Sequence, residues 1–222
     1  PAAHRMHIKA LRAARRKGLQ QVQGMALHDL FVIATETGRP SHAEDFARQA
    51  YRAYGPSHPS VPALAHDVAY FWMNQGHFAR ALPIFESVLS HFSDPAVRFV
   101  VQAHIARAAG GSGDRTTFRR YWTECIRIAK EPFARTVAAD ALTELALGAS
   151  SLNEWDRAEQ ASTRAIEIAQ ETGDAKALIR SEAILEAARN GRRIEQAVQQ
   201  SGSSSSSAET LAAQFVASLQ AA

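Results

Sequence analysis

The chain has 222 residues, 46% of them hydrophobic, and this composition is typical of a globular protein with a sizeable core. Its single cysteine, Cys125, excludes an internal disulfide, and no segment has the pattern of a secretory leader or a membrane span. We therefore expect a protein of the reducing cytoplasm, whose net charge of +3 comes from one local cluster.

The first predicted helix, about residues 3–17, holds that cluster. Four of its basic residues follow i, i+4, i+7 and i+11 and form one stripe: Arg5, Lys9, Arg12 and Arg16. This stripe could meet an acidic partner or a phosphate backbone, although a solvated or covered face is the simpler interpretation. The chain lacks a recognition-helix motif, an aromatic platform and a glycine-rich phosphate loop, so we do not expect direct nucleic-acid binding. His4 and His7, one turn apart, are interpreted as surface residues.

One pattern recurs four times after this helix: a turn residue, then small or aromatic side chains five, nine and twelve positions later. The turn residues are Gly38, Gly76, Gly113 and Asn153. The residues that follow them are Ala43, Ala47 and Ala50; Ala81, Phe85 and Val88; Phe118, Trp122 and Cys125; and Ala158, Ser162 and Ala165. Positions four and seven apart share one helix face, so each set predicts the inner stripe of a hairpin's second helix. One hairpin cannot cover its own stripe, so neighbouring hairpins must stack.

The period predicts five hairpins, at residues 19–55, 60–93, 96–131, 133–172 and 175–200. The spacing from Ala10 to Gly18 repeats from Ala165 to Gly173, which makes the first helix the second half of an incomplete repeat. We therefore expect the native protein to have sequence upstream of Pro1.

The C-terminal region is predicted as a serine-rich linker, residues 201–207, and a helix, residues 208–222. Ser206 and Glu209 form a capping-box signature, and Leu211, Phe215 and Leu219 recur every four residues on the helix that follows. We interpret this helix as the cap of the open end of the stack, with a docking helix for another protein as the alternative.

The segment from Ala69 to Leu89 contains, in order, a small residue, glycine, an aromatic, alanine, an aromatic and leucine, and it resembles the tetratricopeptide repeat family. The segment from Tyr54 to Pro59 also looks like the longer inter-repeat turn of one bacterial subclass of that family. Asn153 to Ile168 is the next best match, whereas Phe118 stands where the family usually has alanine. The resemblance covers roughly residues 1–200. It implies an all-α fold, a right-handed α-solenoid of stacked antiparallel helical hairpins.

The resemblance also implies a concave groove, lined by the first helices of successive hairpins, that binds a protein or peptide partner. The residues ten, six and three positions before each turn residue would point into this groove. The predicted partner-binding residues are His28, Val32, His66, Tyr70, Met73, Arg107, Thr143 and Leu147. Any solvated helix face carries a similar mixture of side chains, and that interpretation stays open.

Neither a metal site nor a catalytic site is predicted. His28-Asp29 and His66-Asp67 occupy equivalent positions 38 residues apart, with His104 in the next repeat, but each helix supplies only one imidazole. We expect hydrogen-bonded or ligand-contacting residues there, with no metal and no cofactor. Cys125 occupies a packing position and is predicted to be a buried, inert thiol. No nucleophile motif, paired carboxylates or cofactor loop indicates an enzyme.

The sequence therefore favours a protein-interaction scaffold that holds a peptide or a partner helix in its groove. The alternative is the sensing or regulatory arm of a larger bacterial transcriptional or signalling regulator, and the incomplete first repeat motivates it. A helix-turn-helix module upstream of Pro1 would favour the regulator, and further helical repeats would favour the scaffold.

Overall fold

The computed structural model describes residues 2–192 and 206–221, and within these ranges the regular structure is entirely helical. The all-α prediction is confirmed. The α-helices are α1 (Ala2–Arg16), α2 (Gln20–Glu36), α3 (Pro40–Tyr54), α4 (Val61–Asn74), α5 (Phe78–Val88), α6 (Pro95–Ser112), α7 (Arg115–Ile128), α8 (Ala138–Ser151), α9 (Trp155–Thr172), α10 (Ala175–Arg189) and α11 (Ser206–Ala221). Short 3-10 helices follow α5 at Leu89–His91 and precede α8 at Pro132–Ala134.

The predicted turns and inner stripes are present. All four turn residues have a positive φ, and Asn153, at 58°, is the only residue other than glycine with this conformation in the described ranges. Glycine adopts this backbone without the steric cost of a Cβ, and asparagine tolerates it better than most residues, which is why these positions end helices. The twelve stripe residues are all buried, and Trp122 is the most exposed of them at 7%.

The helix bounds agree with the predicted hairpins as far as the described residues extend. α2 and α3 occupy the hairpin predicted at 19–55, and α8 and α9 occupy the one at 133–172. The hairpin predicted at 175–200 is described only through α10. Its proposed second helix, from residue 193 onward, and the linker up to residue 205 lie outside the described residues.

The chain divides into two compact units, and the division falls inside α4. The described part of the first unit is residues 2–71 with 206–221, and that of the second is residues 72–192. The helix predicted to cap the end of the stack, α11, therefore belongs to the first unit, where Phe215 packs against Tyr51 of α3. An amphipathic helix is buried wherever a complementary apolar surface exists, and its position in the sequence does not specify which surface that is.

In the second unit, α6 packs against α5, α7 and α8, while α8 and α10 both pack against α9 and against each other. The crossing of α6 and α8 depends on Gly110 and Gly148. A Cβ atom on Gly110 would lie 2.7 Å from the Gly148 Cα, and one on Gly148 would lie 3.0 Å from the Ala106 carbonyl oxygen. The two backbones are therefore in direct contact.

We expect Gly110→Ala to destabilise the second unit by about 1–3 kcal/mol, because the methyl group must push two helix backbones apart. This loss remains after the gain of about 1 kcal/mol by which alanine is otherwise favoured over glycine in a helix interior. Gly148→Ala is the matched comparison and should cost less, because its nearest contacts are longer. All three tryptophans of the chain lie in the second unit, so urea denaturation followed by tryptophan fluorescence measures the effect. Unchanged stability of Gly110→Ala would contradict the close contact.

Candidate functional site

Half of the predicted partner-binding residues are buried. Met73 and Thr143 are 0% exposed, Arg107 is 3% exposed and Leu147 is 9% exposed. Residues 103–110 of α6 and 141–150 of α8 are buried without exception, so these parts of the two helices have no open face. Thr143 bonds instead to Ser181 of α10, with 2.7 Å between the hydroxyl oxygens. The expectation that these four side chains line an open groove is therefore corrected, because neighbouring helices fill the space around them.

Arg107 is part of a buried ionic network that links three helices of the second unit. Its guanidinium donates a hydrogen bond to Glu144 of α8, and Arg180 of α10 donates to the other oxygen of the same carboxylate at 2.7 Å. Arg180 also donates to Asp140 at 2.8 Å. Burial opposes ionisation of Glu144, but the charges of Arg107 and Arg180 outweigh it and lower the pKa of this carboxyl. The network fixes α6, α8 and α10 relative to one another.

The predicted histidines of the first unit belong to a hydrogen-bonded set centred on Asp67 of α4. His28 of α2 lies with its Nε2 atom 2.9 Å from one Asp67 oxygen, and the His66 Nδ1 atom lies 3.1 Å from the other. A second pair joins α1 to α2, with the His7 Nδ1 atom 3.1 Å from Asp29. We expected hydrogen-bonded histidines here. The sequence placed His7 at the surface and did not reveal that each aspartate pairs with a histidine of a preceding helix.

The environment of Asp67 favours its charged form. Burial alone would raise the pKa of this carboxyl, but the hydrogen bonds from His28 and His66, together with the charges of these imidazoles, lower it from 3.8 to about 2. Both histidine side chains are about one-fifth exposed, which leaves the set accessible at the surface of the unit.

An apolar stripe on α2 lies beside this set. Val22, Met25 and Val32 are 42%, 58% and 36% exposed, and their spacing of three and seven residues places them on one face of the helix. Val32 is one turn beyond His28 and was predicted as a contact residue. Val22 and Met25 were missed, because the groove positions inferred from the resemblance did not include them. Tyr70, one turn after His66 on α4, is partly buried.

The basic stripe of α1 is exposed at all four predicted positions, Arg5, Lys9, Arg12 and Arg16.

The single cysteine of the chain does not reach the surface. Cys125 is completely buried, and burial raises the pKa of its thiol. The prediction of a buried thiol is confirmed, and its raised pKa disfavours the reactive thiolate.

We expect Asp67→Asn to destabilise the first unit at neutral pH and to have progressively less effect in acid. The folded-state pKa of Asp67 lies below its usual value, so its contribution to stability is complete above about pH 4 and is lost as the pH falls toward 2. Because the side chain is 40% exposed, solvent screening limits this contribution to about 1 kcal/mol. Thermal denaturation by circular dichroism at pH 7 and pH 2.5 measures the difference. Glu182→Gln, at an exposed carboxylate of α10, is the control. An Asp67→Asn effect that does not change with pH would contradict this assignment.

Replacing Arg107 with leucine should cost the second unit about 3–5 kcal/mol, because the buried Glu144 carboxylate loses one of its two cationic partners. A chain with both Arg107→Leu and Glu144→Leu should lose less than the sum of the two single variants, since no carboxylate is then left buried at that position. Urea denaturation of the unmodified chain, the two single variants and the double variant, followed by tryptophan fluorescence, completes this double-mutant cycle. Additive losses would show that the two residues are not coupled.

No group of three or more His, Cys, Asp and Glu side chains is arranged to hold a metal ion in the described ranges. Residues 2–192 and 206–221 also contain no helix with both the length and the hydropathy needed to cross a bilayer. The chain matches no protein-family model, and no curated protein matches it. Its function must therefore be inferred from the exposed side chains and their surroundings.

Proposed function

We propose that this protein is an interaction scaffold and not an enzyme, and that it binds a helix or an extended peptide of a partner protein on the α2 and α4 side of its first unit. We further propose that its hairpins form a right-handed solenoid of the tetratricopeptide type. The regular spacing of the turn residues, the buried stripe after each turn and the packing of α6, α8 and α10 in the second unit support this arrangement.

The proposal depends mainly on the exposed apolar stripe of α2. Isolated apolar side chains are common on protein surfaces, but three on one helix face, next to an ordered polar set, favour a contact surface. Val22 and Met25 supply exposed apolar area, and methionine is well suited to such surfaces because its side chain is flexible and polarisable. Asp29, on the same face, and His28, beside Val32, would fix the register of a bound segment.

The dimensions of the stripe favour a linear ligand. Val32 lies ten positions after Val22, which corresponds to about 15 Å along the helix axis. A partner helix of three turns, or an extended segment of four to five residues, would cover that length. The exposed basic stripe on the adjacent α1 would attract a partner that also carries acidic residues.

A photo-crosslinking residue in place of Met25 tests the location of the site. We expect it to capture a partner from a cell extract, whereas the same residue at Ile179, a 67% exposed apolar position on α10 of the second unit, should not. The introduced charge of Val32→Glu should weaken capture at least about tenfold, as expected when an apolar anchor is lost and a charge is placed against apolar surface. Ile179→Glu is the matched control and should leave capture unchanged.

Circular dichroism of both glutamate variants should match that of the unmodified chain, because both positions are exposed. Equal capture from positions 25 and 179, or capture that is insensitive to Val32→Glu, would show that α2 is not the binding surface.

A further inference from the structure

We infer that α3 has a second helix-docking site, on a different face from its inner stripe, and that α11 is its resident occupant. We further infer that an acidic amphipathic helix of a partner protein displaces α11 from this site. This inference does not depend on the proposed α2 surface.

The contact between α3 and α11 has the composition of a helix-recognition site. Tyr51 and Phe215 pack edge to face with their ring centroids 5.1 Å apart, and both side chains are buried. The Tyr51 hydroxyl lies 2.6 Å from the Ser218 hydroxyl and donates a longer bond of 3.4 Å to the Gln214 carbonyl. An aromatic anchor with a polar end of this kind gives both burial and register.

The partner's apolar pattern follows from the residues of α11 that are buried. Leu211, Phe215 and Leu219 are each no more than 6% exposed, and the smaller Ala208 and Ala212 are buried beside them. A displacing helix must therefore carry large apolar residues at i, i+4 and i+8, with small residues next to them.

The polar end of the site is incompletely satisfied by α11. Arg48 lies one turn before Tyr51 on the same side of α3, and its guanidinium donates to Asp45 at 3.1 Å and to the Ser207 hydroxyl at 3.3 Å. The Arg48 Nε atom is buried and has no hydrogen-bond partner. A buried guanidinium nitrogen without an acceptor is costly, because arginine stays charged and its donors favour bidentate contacts with a carboxylate.

These features specify the chemistry of the partner. A carboxylate at the position of Ser207 would accept charge-assisted hydrogen bonds from Arg48, whose bond to the serine hydroxyl is 3.3 Å long. Ser207 is the second residue of α11, and an acidic residue in the first turn of a helix is also favoured by the helix dipole. α11 already carries Glu209 in its first turn, but it has serine at the position that faces Arg48. The site therefore fits a helix with an aspartate or glutamate at the position of Ser207, followed by the Leu, Phe and Leu pattern, better than it fits α11.

Peptide binding to the full-length chain tests this inference. The probe is a fluorescently labelled 16-residue peptide with the sequence of α11. It should bind the full-length Phe215→Ala chain, whose own α11 is weakened. It should bind the unmodified chain at least about tenfold less tightly, because the tethered α11 competes at a high effective concentration. A peptide carrying Ser207→Glu should bind the Phe215→Ala chain about fivefold to tenfold more tightly than the first peptide, the gain expected of a partly exposed charge-assisted bond.

Two controls locate the binding to α3. A peptide carrying Phe215→Ala should not bind, and adding Tyr51→Ala to the Phe215→Ala chain should abolish binding of both active peptides. If the first peptide does not bind the folded Phe215→Ala chain, or binds the unmodified chain equally well, the docking site is disproved. Equal affinities of the serine and glutamate peptides would disprove the acidic requirement.

Hydrogen exchange on the unmodified chain covers the case in which Phe215→Ala does not fold. A saturating amount of the Ser207→Glu peptide should accelerate amide exchange within α11 and leave exchange within α9 of the second unit unchanged. Unchanged exchange in α11 under those conditions would overturn displacement.

Discussion

The close approach of helix backbones is the constraint on which the described structure depends. Each turn residue is followed by a helix whose inner face carries mainly small or flat side chains, so that the neighbouring helix can come near enough to exclude water. Where α6 crosses α8, even an alanine methyl is too large, and Gly110 and Gly148 bring the main chains into contact. This proximity also leaves the Arg107 guanidinium little access to water, and the Glu144 carboxylate accepts a hydrogen bond from it instead.

The helices and their buried faces could be predicted because both depend on local patterns. The positions five, nine and twelve after Gly38, Gly76, Gly113 and Asn153 are buried in every case. A turn residue needs a particular backbone conformation, and a stripe needs a particular spacing, so both leave a signature in the amino-acid sequence.

The surroundings of individual side chains could not be predicted in the same way. Arg107 is a residue type that often contacts ligands, and only the three-dimensional structure reveals that its guanidinium is bonded to Glu144. The aspartates next to His28 and His66 were read as equivalent, whereas Asp29 pairs with α1 and Asp67 bridges two imidazoles. Apart from the neighbouring pair His66 and Asp67, these partners lie more than twenty residues apart, and the repeat period alone does not determine which of several nearby groups is closest. Met25 was missed for a related reason, because its exposure depends on what packs around α2.

The position of α11 has a consequence for synthesis on the ribosome. The contact between Tyr51 and Phe215 joins residues more than 160 positions apart, so the first unit is completed only after residues 206–221 have emerged. Domains otherwise tend to fold as their own sequence becomes available. Until α11 has been synthesised, Tyr51 and Arg48 lack the helix that covers them, and a chaperone or another nascent chain can reach this face of α3 first.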